Sequence, residues 1–174
     1  MKLRNGFVSN SSSSSFIVYF EDDEIIKPNI KDIWLDASGE NIILPSKDGC
    51  YEFNGNFVRE YNFISKLNWC AIQVYYVREK RPDILENFKE VIKEILGLDI
   101  VFDEKLFKRR DAYIDHQSAS YENLEIQKFF ENKDLIKKFI FGKKSYYQGG
   151  HDNYDWDDFP EYIESLKVMG IYEE

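Results

Sequence analysis

Two cysteines among 174 residues are too few for a disulfide framework. No apolar run approaches the ~20 residues that a membrane helix needs, so a membrane span is not expected. Lys2 and Arg4 stand near the N-terminus, but serines follow where an export leader would place its hydrophobic stretch. Together these absences predict a cytoplasmic protein in which Cys50 and Cys70 are free thiols. Several signatures of chemistry are also missing. The chain has no His-Glu-x-x-His, no paired His-x-Thr or His-x-Ser, and no phosphate-binding Walker loop. It shows no internal repeat and no interdomain linker, so residues 1–174 read as a single domain. Bases are in the minority, 23 against 32 acids, for a net charge of −9. An acidic surface repels phosphate backbones, which argues against broad non-specific DNA binding.

The chain does have a large apolar complement. Hydrophobic residues make up 43% and aromatics 17%, enough for a substantial core and far from the composition of a disordered chain. The negative charge is concentrated. From His151 onward eight acids face one base, a net −7, which leaves −2 for residues 1–150. The bases cluster at Arg78-Glu79-Lys80-Arg81, at Lys108-Arg109-Arg110, and at Lys137, Lys138, Lys143 and Lys144. Such clusters usually mark solvated faces and helix ends. Lys108-Arg109-Arg110 has a sharper reading as a phosphate contact, because it runs into a histidine motif.

The pattern of apolar residues predicts an α+β fold: one small mixed or antiparallel sheet of about five short strands, packed against four or five helices. Phe16-Ile17-Val18-Tyr19-Phe20 is a buried-strand pattern. Residues 41–44 and 50–53, joined by Pro45-Ser46-Lys47-Asp48-Gly49, suggest a hairpin. Helical spacing extends from about Phe57 to Val77 and again after Arg81-Pro82, where Gly97 supplies a stop. The Trp69 indole and neighbouring aromatics are read as core. Leu98–Phe102 and Ala112–Ile114 read as strands, and 123–131, 134–141 and 158–169 as helices.

The chain has only two histidines, and each is next to an aspartate in a polar setting: Asp115-His116-Gln117-Ser118 and Gly149-Gly150-His151-Asp152-Asn153. Histidine changes charge near neutral pH and is the commonest metal ligand. Each motif follows an apolar or aromatic segment and precedes a helical one, in loops where functional groups are usually displayed. Gly149 and Gly150 are expected to form a flexible turn whose backbone can approach a ligand closely. Three chemistries suit the set. His116 and His151 could act as acid and base on a phosphate ester, oriented by Asp115 and Asp152. They could instead join carboxylates around a divalent metal. They could also bind a ligand by hydrogen bonds alone. The last is preferred to a metal centre, since no recognised ligand spacing is present. Against all three, Asp-Asn-Tyr-Asp before a helix is ordinary capping chemistry. The serine run Ser9–Ser15, with Ser11, Ser12 and Ser13 at its centre, has two readings. It is either a polar tether or an ordered loop whose hydroxyls and N–H groups cradle phosphate.

The opening string Arg4-Asn5-Gly6-Phe7-Val8-Ser9-Asn10, followed by Ser11–Ser15 and Phe16, resembles an N-terminal signature of small uncharacterised proteins of bacteriophages, prophages and low-GC bacteria. The two histidine motifs are associated with the same proteins. The resemblance covers under a tenth of the chain and implies phage or mobile-element ancestry, with no established activity.

The leading functional expectation is a polar pocket for a phosphate-bearing small molecule or nucleotide. It would be built from Ser11, Ser12, Ser13, Arg109, Arg110, His116, Gln117, Ser118, Gly149, Gly150, His151, Asp152 and Asn153, with hydrolysis left open. The alternative is a non-enzymatic inhibitor that docks on a host defence protein. Its acidic segment Asp152–Asp158, interleaved with Tyr154 and Trp156, would cover a basic surface.

Overall fold

The computed structural model describes residues 2–5, 13–20, 22–29, 31, 33–46, 58–109 and 124–151. Six strands and five helices lie within them: β1 (Lys2–Asn5), β2 (Ser13–Val18), β3 (Asn41–Leu44), β4 (Val58–Glu60), α1 (Phe63–Val77), α2 (Pro82–Leu96), β5 (Asp99–Phe102), α3 (Glu104–Arg109), α4 (Leu124–Glu131), α5 (Lys133–Phe141) and β6 (Tyr146–His151). The mixed helix-and-strand class agrees with the sequence pattern. The strands do not form a single five-stranded sheet, however. Four make an antiparallel sheet in the order β1-β2-β6-β4, and β3 pairs with β5 in a separate two-stranded parallel sheet.

The helix α1 is the centre of the molecule. Asn62 caps it by accepting from the Ile64 N–H at 2.7 Å, and eleven of its fifteen residues are buried. A helix apolar on nearly all sides belongs inside a protein. It begins at Phe63 instead of near Phe57, because Val58–Glu60 is taken by β6 as an edge strand. Pro82 starts α2 at a position where a missing N–H costs nothing. Gly97 ends it with φ of 74°, donating its N–H to Lys93 O. The apolar stripe of α2, which includes Ile84, Phe88, Val91, Ile92 and Leu96, faces the core. Its outer side pairs with α5 through Lys133–Glu90 and Lys137–Glu94, half-exposed pairs of small individual worth. Asn132 separates α4 from α5 by accepting from the Asp134 and Leu135 N–H groups.

Aromatic rings fill the spaces between helices. Trp69 meets Phe139 edge-on at 5.8 Å, Phe139 meets Phe129 at 5.8 Å, and Phe88 meets Phe130 at 6.5 Å. Trp69 is 1% exposed, a core residue as its helical spacing indicates. At the far end of α1, Tyr75 stacks on Phe107 of α3 at 3.4 Å and donates to Glu104 Oε2 at 2.7 Å, while Arg78 lies 3.5 Å from the Tyr75 ring centroid.

Of the hairpin expected between 41–44 and 50–53, only the first strand, β3, falls within the described residues. One edge of β3 is bonded to the segment before it, through Ile43 N–H to Trp34 O at 2.8 Å and a Leu35–Ile42 bridge. The other edge is the parallel ladder to β5. Residues 47–57 lie outside the described set. The strands or helices expected at 112–114 and 158–169 also lie outside it. Among the described residues, no helix is long and apolar enough to cross a membrane.

Candidate functional site

The four-stranded sheet brings together two polar features that are far apart in sequence. In the antiparallel β2–β6 ladder, Ser13 lies opposite His151, Ser14 opposite Gly150 and Ser15 opposite Gly149. On the other side of β6, Val58 pairs with Gly149. The last three residues of the serine run therefore form the start of a strand, not a loop or tether. Gly149 and Gly150 are likewise strand residues, not a flexible turn, and the sequence expectation is corrected on both points. The physical reason is mutual: β6 supplies a ladder of backbone partners that satisfies the serine backbone on one side and Val58–Glu60 on the other. Glycine in the middle strand of a sheet leaves a position without a side chain, often where another group approaches closely.

Strand alternation divides this end of the sheet between two faces. Ser13, Ser15, Gly149 and His151 share the face of buried Ile17 and Tyr147, whereas Ser14 and Gly150 stand on the opposite face. Of the residues expected to act together, the register sets Ser13 opposite His151 with Gly149 on the same face, while Gly150 between them falls on the other face. Arg109 is the last residue of α3, and exposed Lys108 before it fits a solvated helix end, where cations favour the helix dipole. Ser11, Ser12, Arg110, Asp115, His116, Gln117, Ser118, Asp152 and Asn153 lie outside the described residues. Among the described residues, no three His, Cys, Asp or Glu side chains gather as a metal-binding group.

A buried polar knot fixes where β6 begins. Lys66 of α1 is 2% exposed, and its ammonium donates to Gly142 O at 2.7 Å, Ser145 Oγ at 2.9 Å and Ser145 O at 3.2 Å. Ser145 Oγ in turn donates to Phe139 O at 2.7 Å. The Asp23 carboxylate accepts the N–H groups of Lys144 and Ser145, at 2.9 and 3.0 Å. All three lysine protons thus have acceptors at the C-terminal end of α5, where the helix dipole favours a cation. Burial still pulls the Lys66 pKa down, to about 8, against the opposing pull of Asp23 and Cys70. At Gly142 an added Cβ would collide with Lys138 O and come within 2.5 Å of Asp23 Oδ2. The residue is glycine because three elements meet there.

Sequence reasoning did not single out Lys66. The available signal was a lone lysine on an otherwise uncharged helix, four residues before Cys70. Burial raises the Cys70 thiol well above its ordinary range, so it is a packing residue and not a nucleophile.

A second buried polar contact anchors the end of β3. Asn68 donates to Ser46 O at 2.5 Å and accepts the Ser46 N–H at 2.6 Å, and Ser46 Oγ accepts the Trp34 N–H at 2.8 Å. About one turn further along α1, the amide nitrogen and oxygen of Gln73, and the Trp69 indole N–H, are buried without a hydrogen-bond partner among the described residues.

No family model matches the chain, and neither a curated protein nor a solved structure matches it.

Proposed function

We propose that this chain binds a phosphate-bearing small molecule, such as a nucleotide, at the Ser13–His151 end of the four-stranded sheet. The observation that carries this reading is the β2–β6 register, which sets the serine run against Gly149-Gly150-His151. Serine hydroxyls donate and accept, and a histidine that gains a proton near neutral pH adds positive charge beside an anion. Two consecutive glycines leave room for a ligand to approach the backbone. In this reading Ser11, Ser12, Arg109, Arg110, Gln117, Ser118 and Asn153 complete the site. If the ligand is hydrolysed, His116 and His151 serve as acid and base, with Asp115 and Asp152 orienting them. The N-terminal resemblance supports a phage-borne origin and action in the host cytoplasm as part of the same proposal.

Calorimetric titration with inorganic phosphate, AMP and ATP tests the reading. Wild-type protein should bind at least one of them, more tightly at pH 6 than at pH 8. His151→Ala and Ser13→Ala should each weaken binding about tenfold, the loss of one charge-assisted hydrogen bond. Absence of binding, or binding unchanged by both substitutions, refutes it.

A further inference from the structure

The small parallel sheet carries an apolar row on the side away from the core. Ile33, Leu35, Ile42, Leu44, Ile100 and Phe102 all belong to the main core or pack against it. Strand alternation turns the residues between them, Trp34, Ile43 and Val101, to the other face. The three stand abreast. The Leu35–Ile42 bridge and the bond from Ile43 N–H to Trp34 O set Trp34 opposite Ile43. The β3–β5 ladder sets Ile43 opposite Val101. Burial agrees with this placement. Trp34 is 42% exposed and Val101 45%, Ile43 between them is half-buried, and none of the three belongs to the main core. Neighbouring strands lie about 4.8 Å apart, so the row runs roughly 10 Å from Trp34 to Val101. Apolar side chains scattered singly on a surface need no explanation, but these three are contiguous and one is a tryptophan.

The next row on the same face is polar and acidic. Asp36 donates its N–H to Asn41 O at 3.0 Å and stands opposite it, and Asn41 stands opposite Asp99. The Asp36 carboxylate accepts from Ser38 at 2.7 Å and from Asn41 at 2.6 Å. These bonds hold its pKa at about 2, so it is charged at neutral pH. Asp99 pairs with Lys93 at 2.6 Å, both side chains more than half exposed. Glu40, also exposed, precedes Asn41 in the turn. Three carboxylates therefore border the apolar row against one ammonium. Successive residues on one face of a strand lie about 7 Å apart, so a cation seated over Trp34 is within reach of Asp36.

We infer that this face docks a basic peptide segment of a partner protein. An apolar side chain of that segment covers Ile43 and Val101, and an arginine stacks on the Trp34 indole while its guanidinium donates to Asp36. Arginine suits both halves of the contact, because it stacks on aromatic rings and pairs with carboxylates through a planar fork. The charge of the border selects the occupant. A second copy of this chain would set like-charged borders against each other, and a nucleic acid or an anionic bilayer would meet the same repulsion. A row three side chains wide also falls far short of the roughly 800 Å² that each partner buries in a stable dimer. It is the size of a peptide contact. The parallel sheet is separate from the sheet of Ser13 and His151, so the proposal is independent of small-ligand binding there.

Nuclear magnetic resonance of nitrogen-15-labelled protein tests it. The probes are synthetic hexapeptides in which arginine alternates with leucine, isoleucine, valine, phenylalanine or tryptophan. The Trp34 indole signal, assigned by its loss in Trp34→Phe, should shift saturably with at least one of them and move back as salt rises. Val101→Lys, a change at an exposed position, should weaken that binding about tenfold, and Asp36→Asn should weaken it several-fold. Hexapeptides with glutamate in place of arginine should not bind. Circular dichroism melts check that each variant folds, and Trp34→Ser replaces Val101→Lys, with the same expected loss, if the latter does not. Failure of every arginine peptide overturns the inference, as does equal binding of the glutamate peptides or binding unchanged in the folded variants. A Trp34 signal that moves with protein concentration alone, with a dimer in sedimentation, gives the face to a second copy and overturns it. Insertion of Trp34 into phosphatidylcholine vesicles without peptide binding overturns it too.

Discussion

Asn68 and Gln73 are two buried amides on one helix, 2% and 1% exposed, and they should respond in opposite directions to the same kind of substitution. Asn68 makes two short hydrogen bonds to the Ser46 backbone. Neither polar side-chain atom of Gln73 has a partner among the described residues. A buried polar group left unpaired costs about 1–3 kcal/mol, whereas a paired one contributes roughly 0.5–1.5 kcal/mol net. Gln73→Met keeps the length and unbranched shape of the side chain and removes the cost of desolvation. It should stabilise the fold by about 1–3 kcal/mol, raising the melting temperature by about 2–4 °C for each kcal/mol in a protein of this size. Asn68→Leu removes both contacts and strands the Ser46 N–H and C=O in the core. It should destabilise by about 2–4 kcal/mol. Urea denaturation followed by circular dichroism measures both, with an unchanged m-value as the control that the unfolded state is the same. A loss of 1 kcal/mol or more in Gln73→Met would refute the reasoning, because it would mean that the amide is satisfied in solution.

Two glycine substitutions should differ for a similar reason. Gly97→Ala meets open space and suffers only from its positive φ, a cost of about 1 kcal/mol. Gly142→Ala drives a methyl group into Lys138 O, Asp23 and Ser145, and should cost about 3 kcal/mol or more by the same denaturation assay. The buried Lys66 predicts a pH effect. Its pKa is about 8 in the folded protein against an ordinary 10.5, so between these values the unfolded chain binds more protons. Stability contributed by this group should therefore rise as pH increases from about 8 to 10.5. Melting temperatures of wild type and Lys66→Met, compared across that range, should diverge in favour of the wild type. Parallel curves would show that Lys66 does not titrate there. Asp36 gives the opposite case, held down to about 2 by hydrogen bonds from Asn41 and Ser38. Its contribution is complete above the ordinary 3.8 and is lost as pH falls toward 2, and Asp36→Asn should remove that part of the acid sensitivity.

Helices α1, α2, α4 and α5 were legible in the sequence, whereas α3 and most of the sheet were not. Pro82, Gly97 and the spacing of Ile84, Phe88, Val91, Ile92 and Leu96 define α2 through local rules of capping and periodicity. Asn132 marks the break between α4 and α5 in the same way. The strand Lys2–Asn5 carries no apolar run, and its identity depends on pairing with Val18 through Ser15. Asn41–Leu44 reads correctly as a strand, but its parallel partner β5 lies far along the chain, where no local signal points. Strand pairing is a long-range choice that local spacing does not encode.

The candidate site follows the same division. The scarcity of histidine, the glycine pair and the serine run drew attention to Ser13, Gly149, Gly150 and His151 from composition alone. Only the β2–β6 register decided that they lie side by side, and strand alternation then split them between two faces. The sequence by itself determined four of the five described helices, the aromatic core and the acidic balance, because those depend on residue type and short-range spacing. The tertiary structure decided which strands pair and why Lys66 can be buried. Those depend on which backbone lies opposite which, and that is settled only when the apolar faces pack.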